Sequence, residues 1–303
     1  GNTEATGGTR LVQPTVALEL QSAGYHTGYF GKWHLGDDPI GCGGWDEKDF
    51  TSNDPLTTEN ALGFLRNTTR QAESFAMTVS INNPHDIYDF KRHETGEDEV
   101  PLPSSWTDEG FENKPPIQEQ FMTDDQGTAI HGRPEDEWNR YRDCYREKTR
   151  LYDACVGEIS DELKEQGQWD NTIVIVTSDH GDMDANHRLI FKGPFMYDHM
   201  VRVPLMIRVP QALGGTNGRR SDANVVNVDI VPTIRECCGL AANPSHGKSL
   251  APLLTSGDYQ PREFVVGQYY GKQKWVNPIR MIWTREFKFN RHIRWDDELY
   301  DLG

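Results

Sequence analysis

Basic character is what this sequence has least of. Its 303 residues hold 31 Lys and Arg against 47 Asp and Glu, a formal charge of -16, and a nucleic-acid binder needs a basic face that this balance does not supply. An anionic ligand would meet an unfavourable long-range field, so any anion site must be a local cluster of Lys, Arg and His, with salt screening the distant charges over roughly 8–10 Å. Long apolar runs are missing too. None approaches the roughly 20 residues needed to cross a bilayer. Cysteine is scarce, with five residues and no C-x-x-C pair, which fits neither a structural zinc site nor a complete disulfide framework. The adjacent Cys237 and Cys238 read as small buried residues near a helix end. Repeats and low-complexity tracts are absent, and the length suits one large α/β domain with a small appendage.

Periodicity supplies the elements. Residues 14–23 predict a helix with Pro14 in its first turn and Gly24 as the stop. A Tyr- and Phe-rich strand follows at 25–30, then an amphipathic helix at 57–68 and a strand at 74–81, the alternation of an open α/β sheet. Residues 88–134, rich in Pro, Asp, Glu and Gly, predict a long loop that either covers a site or runs passively over the surface. From Trp138 through Tyr141, Tyr145, Tyr152, Cys155 and Ile159 to Leu163, apolar positions recur at helical spacing until Gly167, a stripe for core packing. The β-branched run at 171–178 predicts a strand covered on both faces. A strand at 203–209 and a helix at 230–238 follow. Beyond residue 261 the pattern turns to short alternating segments, 264–270 and 279–284, which read as antiparallel strands.

Four segments carry candidate chemistry. In GYHTGYFGKWHLG, residues 24–36, Lys32 and His34 stand on alternate positions just past a strand and so point the same way, while Trp33 packs on the other side. From G-K-W-H alone, a snorkelling Lys and a turn-capping His is the competing account. TSDHGD, residues 177–182, puts Asp179 and His180 at the carboxyl end of their strand, where open α/β sheets place their sites. A carboxylate and a neutral imidazole suit a divalent cation; a capping Asp beside a structural His is the alternative. NNPHDI, residues 82–87, lets a strand deliver His85 at its end, because Pro84 biases Asn83 to an extended backbone. NHRLIFKG, residues 186–193, offers His187 and Lys192 in the turn after the Asp179 strand.

With RVPLMIRVP at 202–210 and VDIVPTI at 228–234, these segments stand in the order that sulfatases of the alkaline phosphatase superfamily show, and the chain resembles that family over almost its whole length. The resemblance implies an α/β fold, a mixed, mostly parallel sheet sandwiched by helices. It divides the chain into a sulfatase-type domain at 1–260 and the start of a C-terminal antiparallel subdomain at 261–303. It also implies a sulfuric ester hydrolase acting through a formylglycine. Lys32 and His34 would hold and activate the formylglycine hydrate and the sulfate oxygens. His85 would donate to the bridging or a sulfate oxygen, Lys192 with His187 would bind sulfate, and Asp179 with His180 would complete a calcium site.

The family pattern places two metal-binding aspartates and a Cys- or Ser-x-Pro-x-Arg motif upstream of GKWHLG. None of Cys42, Cys144, Cys155, Cys237 or Cys238 is followed by x-Pro-x-Arg, so the expectation is a chain that starts downstream of that motif and is inactive as it stands. Calcium prefers roughly six to eight oxygen ligands, which one carboxylate and one imidazole leave incomplete. The implied substrate is an aryl sulfate or a sulfated oligosaccharide, without nucleic acid or a membrane span. A phosphonate or phosphodiester hydrolase of the same superfamily and a nonenzymatic anion-binding protein are the alternatives. Family members are periplasmic, secreted or lysosomal.

Overall fold

A computed structural model describes residues 14–34, 43–71, 73–93, 100–107, 110–216, 218–242, 245–255, 258–272 and 274–303. Leu35, Gly36 and Cys42, and residues 94–99 and 108–109 of the expected loop, lie outside the described residues.

Thr15 starts the first helix, α1 (Val16–Ser22), by accepting the Leu18 N–H on its hydroxyl at 3.3 Å, which satisfies one of the donors a helix start leaves open. The helix buries Ala17 and Leu20 and stops before Gly24 at φ 89°. Strand β1 (His26–Gly31) then forms the centre of a parallel sheet in the order β2-β1-β3, with β2 (Glu47–Asp49) and β3 (Phe75–Ser80) on its flanks. The sequence reading missed β2, since Glu-Lys-Asp has no apolar residue to mark a strand. Asp46 fixes that edge, its carboxylate accepting from the Thr27 N–H and hydroxyl at 2.8 Å each.

Helix α2 (Asp54–Gln71) connects β2 to β3 and lays Ala61, Phe64 and Leu65 against Phe30, with Met77 and Val79 of β3 packed on the same cluster. The long helix α4 (Glu135–Glu165) adds Leu163 and Ile159 to that layer. No described helix is long and apolar enough to cross a membrane.

Two expectations need correction. The described residues of 88–134 are not a loop. They hold a 3-10 segment (His85–Arg92), a second (Ser104–Trp106), helix α3 (Ile117–Asp124) and a third 3-10 turn (Gln126–Ala129). Their Phe90, Trp106, Ile117, Phe121, Met122 and Ile130 are buried in the larger of the two cores, with Trp138, Tyr141 and Phe195. The prolines that suggested a loop instead mark helical starts: Pro103, Pro116 and Pro134 each stand immediately before a helical segment, where a missing N–H costs nothing. One or two apolar anchors per short turn suffice for burial and leave no 3.6-residue period to detect.

The second correction concerns the strand at 171–178. Among the described residues strand β4 (Val174–Thr177) pairs only with β5 (Leu205–Arg208), antiparallel, and all four of its residues are half-buried. Val174 packs on the helix layer, but the strand is not enclosed on both faces by the described residues. The fold is thus a mixed α/β one.

The segment VDIVPTI opens helix α5 (Ile230–Cys237). Its Asp229, fully buried, takes two bonds from the Arg262 guanidinium and one each from the Val226 and Lys248 N–H groups. That makes it a structural carboxylate. Strands β6 (Val265–Lys272), β7 (Trp275–Trp283), β8 (Phe287–His292) and β9 (Glu298–Asp301) form an antiparallel meander. Trp275, Ile279 and Met281 of β7 enter the same core as α3 and α4.

Candidate anion-binding site

Gly31 ends β1 at φ 106°, and a Cβ there would stand 2.1 Å from the Ser80 carbonyl oxygen, so only glycine allows this approach. The Lys32 N–H then donates to that same oxygen at 2.9 Å, and the Tyr29 hydroxyl donates to the Lys32 carbonyl at 2.6 Å. Lys32 is pinned by its backbone to the ends of β1 and β3. Trp33 packs on Tyr29 and Phe50 at ring distances of 5.2 and 5.5 Å, and His34 turns into a cleft.

His85 is placed by a carboxylate that the sequence reading overlooked. Asp54, 5% exposed at the start of α2, accepts the Asn82 N–H at 2.6 Å, the Asn83 N–H at 3.0 Å and the Asn83 side-chain amide at 2.8 Å. Asp86 accepts the Asn82 side-chain amide at 2.8 Å, and the Asn83–Pro84 peptide is cis. The turn after β3 is therefore held rigid before His85 leaves it. The His85 ring lies 5.0 Å from Tyr88, which stacks on Phe191 at 4.2 Å.

On the opposite side, β4 delivers Asp179 and His180. The His180 Nδ1 lies 2.9 Å from the Gly181 carbonyl, which can only accept, so Nδ1 carries the proton and Nε2 keeps its lone pair. The Lys192 ammonium donates to that Nε2, and an Asp179 oxygen stands 3.3 Å from it. Gly181 passes so close to residue 199 that a Cβ would meet the His199 carbonyl at 1.9 Å. Beneath, buried Tyr141 donates to Asp182 at 2.5 Å and accepts the Phe191 N–H at 3.1 Å. One phenol thereby ties the residue two past His180 to the residue just before Lys192. Burial pushes the Asp182 carboxyl up to about 6 despite these bonds.

His34, Asp179, His180 and Lys192 line one cleft of about 1970 Å³. Lys32 and His85 belong to the same electrostatic neighbourhood. Burial first, then the Lys192 charge, holds Lys32 below the usual lysine range, against Asp179, Asp86 and Asp54. Partial burial, then Lys32 and Lys192, holds the His85 imidazole down at about 4. His187 stands apart. It stacks on Tyr197 at 4.4 Å, lies 6.1 Å from the His199 ring, donates its N–H to the Ser105 hydroxyl at 3.2 Å, and does not line the cleft. No described residue of 88–134 lines the cleft either.

Such an arrangement suits a small tetrahedral anion: the charges of Lys32 and Lys192 act on each other and on the His85 imidazole, and the nearby carboxylates of Asp179, Asp86 and Asp54 offset them only in part. It does not fit a complete calcium shell. Asp179, with its side chain 83% exposed, and His180 are the only expected ligands, and among the described residues no three His, Cys, Asp or Glu side chains cluster for a metal. Asp54 went unnoticed, Tyr141 was read as core packing and Asp182 was passed over at the end of TSDHGD, because each acts through backbone or buried contacts that no motif marks. The one available signal for Asp54 was an acidic residue at a helix start.

A family model described as Sulfatase matches residues 1–240, and one described as N-sulphoglucosamine sulphohydrolase, C-terminal, matches residues 186–303. A Delta 4,5-hexuronate-2-O-sulfatase of Bacteroides thetaiotaomicron is 26% identical over 97% of this chain, and the chain spans 66% of that relative's length. Among solved structures, a putative sulfatase from the same organism superposes with TM-score 0.82 at 24% identity, covering 97% of this chain and 69% of the other. The phosphonate monoester hydrolase of Agrobacterium radiobacter gives 0.77 at 20% identity, covering 97% and 75%. Both structures establish likeness of fold.

Proposed function

Because the chain belongs to the sulfatase family, whose model matches most of its length, we propose that its cleft holds the sulfate group of a sugar sulfate and serves sulfuric ester hydrolysis. The observation that carries the reading is the convergence of Lys32, Lys192 and His85 in one neighbourhood of an otherwise acidic chain. Their mutual repulsion is relieved by a bound anion, so the site is prepared for one. The two ammonium groups hold the sulfate oxygens. His85, neutral at pH 7, donates one N–H and keeps one acceptor, and takes up a proton more readily once an anion sits beside it. His34 borders the same space and is the second candidate for proton movement. His187 is left out of the sulfate shell.

A hexuronate 2-sulfate is the substrate class chosen for test, by likeness to the relative above. Asp179 and His180 contribute at most two ligands to a divalent cation, and weak calcium binding is expected of residues 1–303. Calorimetric titration of the chain with sodium sulfate tests the reading directly. Lys32→Ala and Lys192→Ala should each weaken binding about tenfold, the worth of one charge-assisted hydrogen bond. Sulfate affinity unchanged in both variants would refute it. Release of phosphonate in preference to sulfate from matched esters would move the chain to the phosphonate hydrolase reading.

A further inference from the structure

We propose that a second pocket, built on the same 183–192 loop where it turns at Arg188, binds a single sugar unit carrying one acidic group. The pocket holds about 590 Å³, within the range of roughly 300–1000 Å³ that small-molecule sites occupy. Trp106, Trp138 and Phe111 form its apolar wall, and Arg133 and Arg188 line it together with Glu112 and Glu119.

Trp106 supplies the first argument. The residue is 9% exposed, and its indole nitrogen, shielded from solvent, has no acceptor. An indole N–H can only donate, and a buried donor left unmade is costly, so a ligand oxygen that reached behind the ring edge would gain a bond the free protein lacks. Arg188 supplies the second. Its guanidinium lies 4.8 Å over the Trp106 ring while its Nε donates to the Trp106 carbonyl at 2.6 Å. Those two contacts fix the plane of the fork, and among the described residues no acceptor is bonded to its terminal nitrogens. The edge of Trp138 at 5.9 Å keeps the Trp106 ring from turning.

The mixture of charges selects the ligand. Two guanidinium groups suit one carboxylate or sulfate in bidentate fashion. Two carboxylates on the same lining repel a second acid group, but they accept from hydroxyls. A phosphopeptide would use the arginines and leave Glu112 and Glu119 facing its own charge. A ring with several hydroxyls, one acid group and an apolar face for half-buried Phe111 uses the whole lining. Hydrogen bonds from the His187 N–H to the Ser105 hydroxyl at 3.2 Å, and from that hydroxyl to Asn186 Oδ1 at 3.1 Å, bind the pocket's 3-10 turn to the loop that ends at Lys192. The inference rests on this lining and not on the sulfate reading of the cleft.

The test compares the full chain with its Lys192→Ala variant, in which anion binding at the cleft is weakened about tenfold, each titrated calorimetrically with glucuronate, glucose and inorganic sulfate, and only sulfate binding that Lys192→Ala leaves unchanged is ascribed to the pocket. Glucuronate should bind, with glucose and sulfate each at least about tenfold weaker. Arg188→Gln should cost glucuronate about tenfold, and Trp106→Phe, which keeps the ring and removes only the N–H, about fivefold. Arg133 is half exposed, so Arg133→Gln keeps the test informative if the Trp106 variant folds poorly, and it too should weaken glucuronate. Glucuronate binding untouched by both arginine variants, or absent in the Lys192→Ala chain, would overturn the pocket. Equal binding of inorganic sulfate would overturn the sugar. Loss of sulfate binding on Lys192→Ala concerns the cleft alone.

Discussion

The two sides of the cleft hold their charged groups by opposite means. On the β1 and β3 side, Lys32 and His85 are fixed through backbone: Gly31 presses against Ser80, and one buried carboxylate, Asp54, collects three N–H groups from Asn82 and Asn83. On the β4 side, His180 and Lys192 are fixed through packing around a buried pair, Tyr141 and Asp182. The first device depends on an acceptor whose loss orphans several donors at once. The second depends on a neutral hydroxyl bridging two chain segments, and burial has already driven its carboxyl partner toward the protonated form.

The largest effect should follow from breaking the first device. Asp54→Ala removes the acceptor of two buried Asn83 donors and one part-buried Asn82 N–H, and at about 1–3 kcal/mol for each buried donor left unmade the loss should reach about 2–4 kcal/mol. Urea denaturation measures it. Tyr141→Phe should cost less, about 1–2 kcal/mol, since it leaves the Phe191 N–H without its acceptor while Asp182 keeps the Asp184 N–H at 2.8 Å, and the ring that fills the core stays. If Tyr141→Phe proves the more damaging, the contrast between the two sides is wrong, and packing governs both.

The same contrast explains what could be read beforehand. Lys32, His34, Asp179 and His180 sit just past strand ends inside short motifs, legible because apolar runs stop there, whereas His85 opens a 3-10 segment and Lys192 lies in a loop, and only their motifs marked them. His187 shares its motif with Lys192 yet lies elsewhere, because residues 184, 185, 187, 188 and 191 take positive φ and turn the loop in a way that no spacing rule foresees. Asp54 and Tyr141 were hidden for a different reason. A buried hydrogen-bond hub joins residues distant in sequence, and nothing local distinguishes it from a first-turn acid or a core aromatic. The prolines of 88–134 misled because a helix start and a turn favour the same residue.

Acidity should separate the sides with a smaller effect. His85 at about 4 lies below the ordinary 6.5 of imidazole, so the unfolded chain takes the proton first. Its contribution to stability is present above 6.5 and is lost as pH falls toward 4. Asp182 at about 6 lies above the ordinary 3.8, so the folded chain holds the proton first, and its contribution is present below 3.8 and lost as pH rises through 6. Across pH 4–6 the two slopes oppose. Relative to the parent, Asp182→Asn should steepen the rise of stability with pH in that window, and His85→Gln should flatten it. Urea midpoints at half-unit pH steps decide the matter, and difference curves of the same sign would remove the distinction.

The smallest effect is the sharpest test of which side meets the anion. Besides partial burial, His85 is held at about 4 by the charges of Lys32 and Lys192, and a sulfate lodged between those ammonium groups cancels part of their field. The imidazole then regains part of its basicity. At pH 5 it should take up a fraction of a proton as sulfate binds, whereas at pH 8 it stays neutral with or without the anion. Calorimetry in two buffers of different ionisation enthalpy reads that fraction directly. His85→Gln should abolish the uptake at pH 5, and Tyr141→Phe should leave it in place, since the phenol positions Lys192 without titrating in this range. Uptake that survives His85→Gln would assign the proton to the β4 side. No uptake at pH 5 in the parent chain would mean that the anion binds beyond the reach of His85, and that the two sides do not share one site.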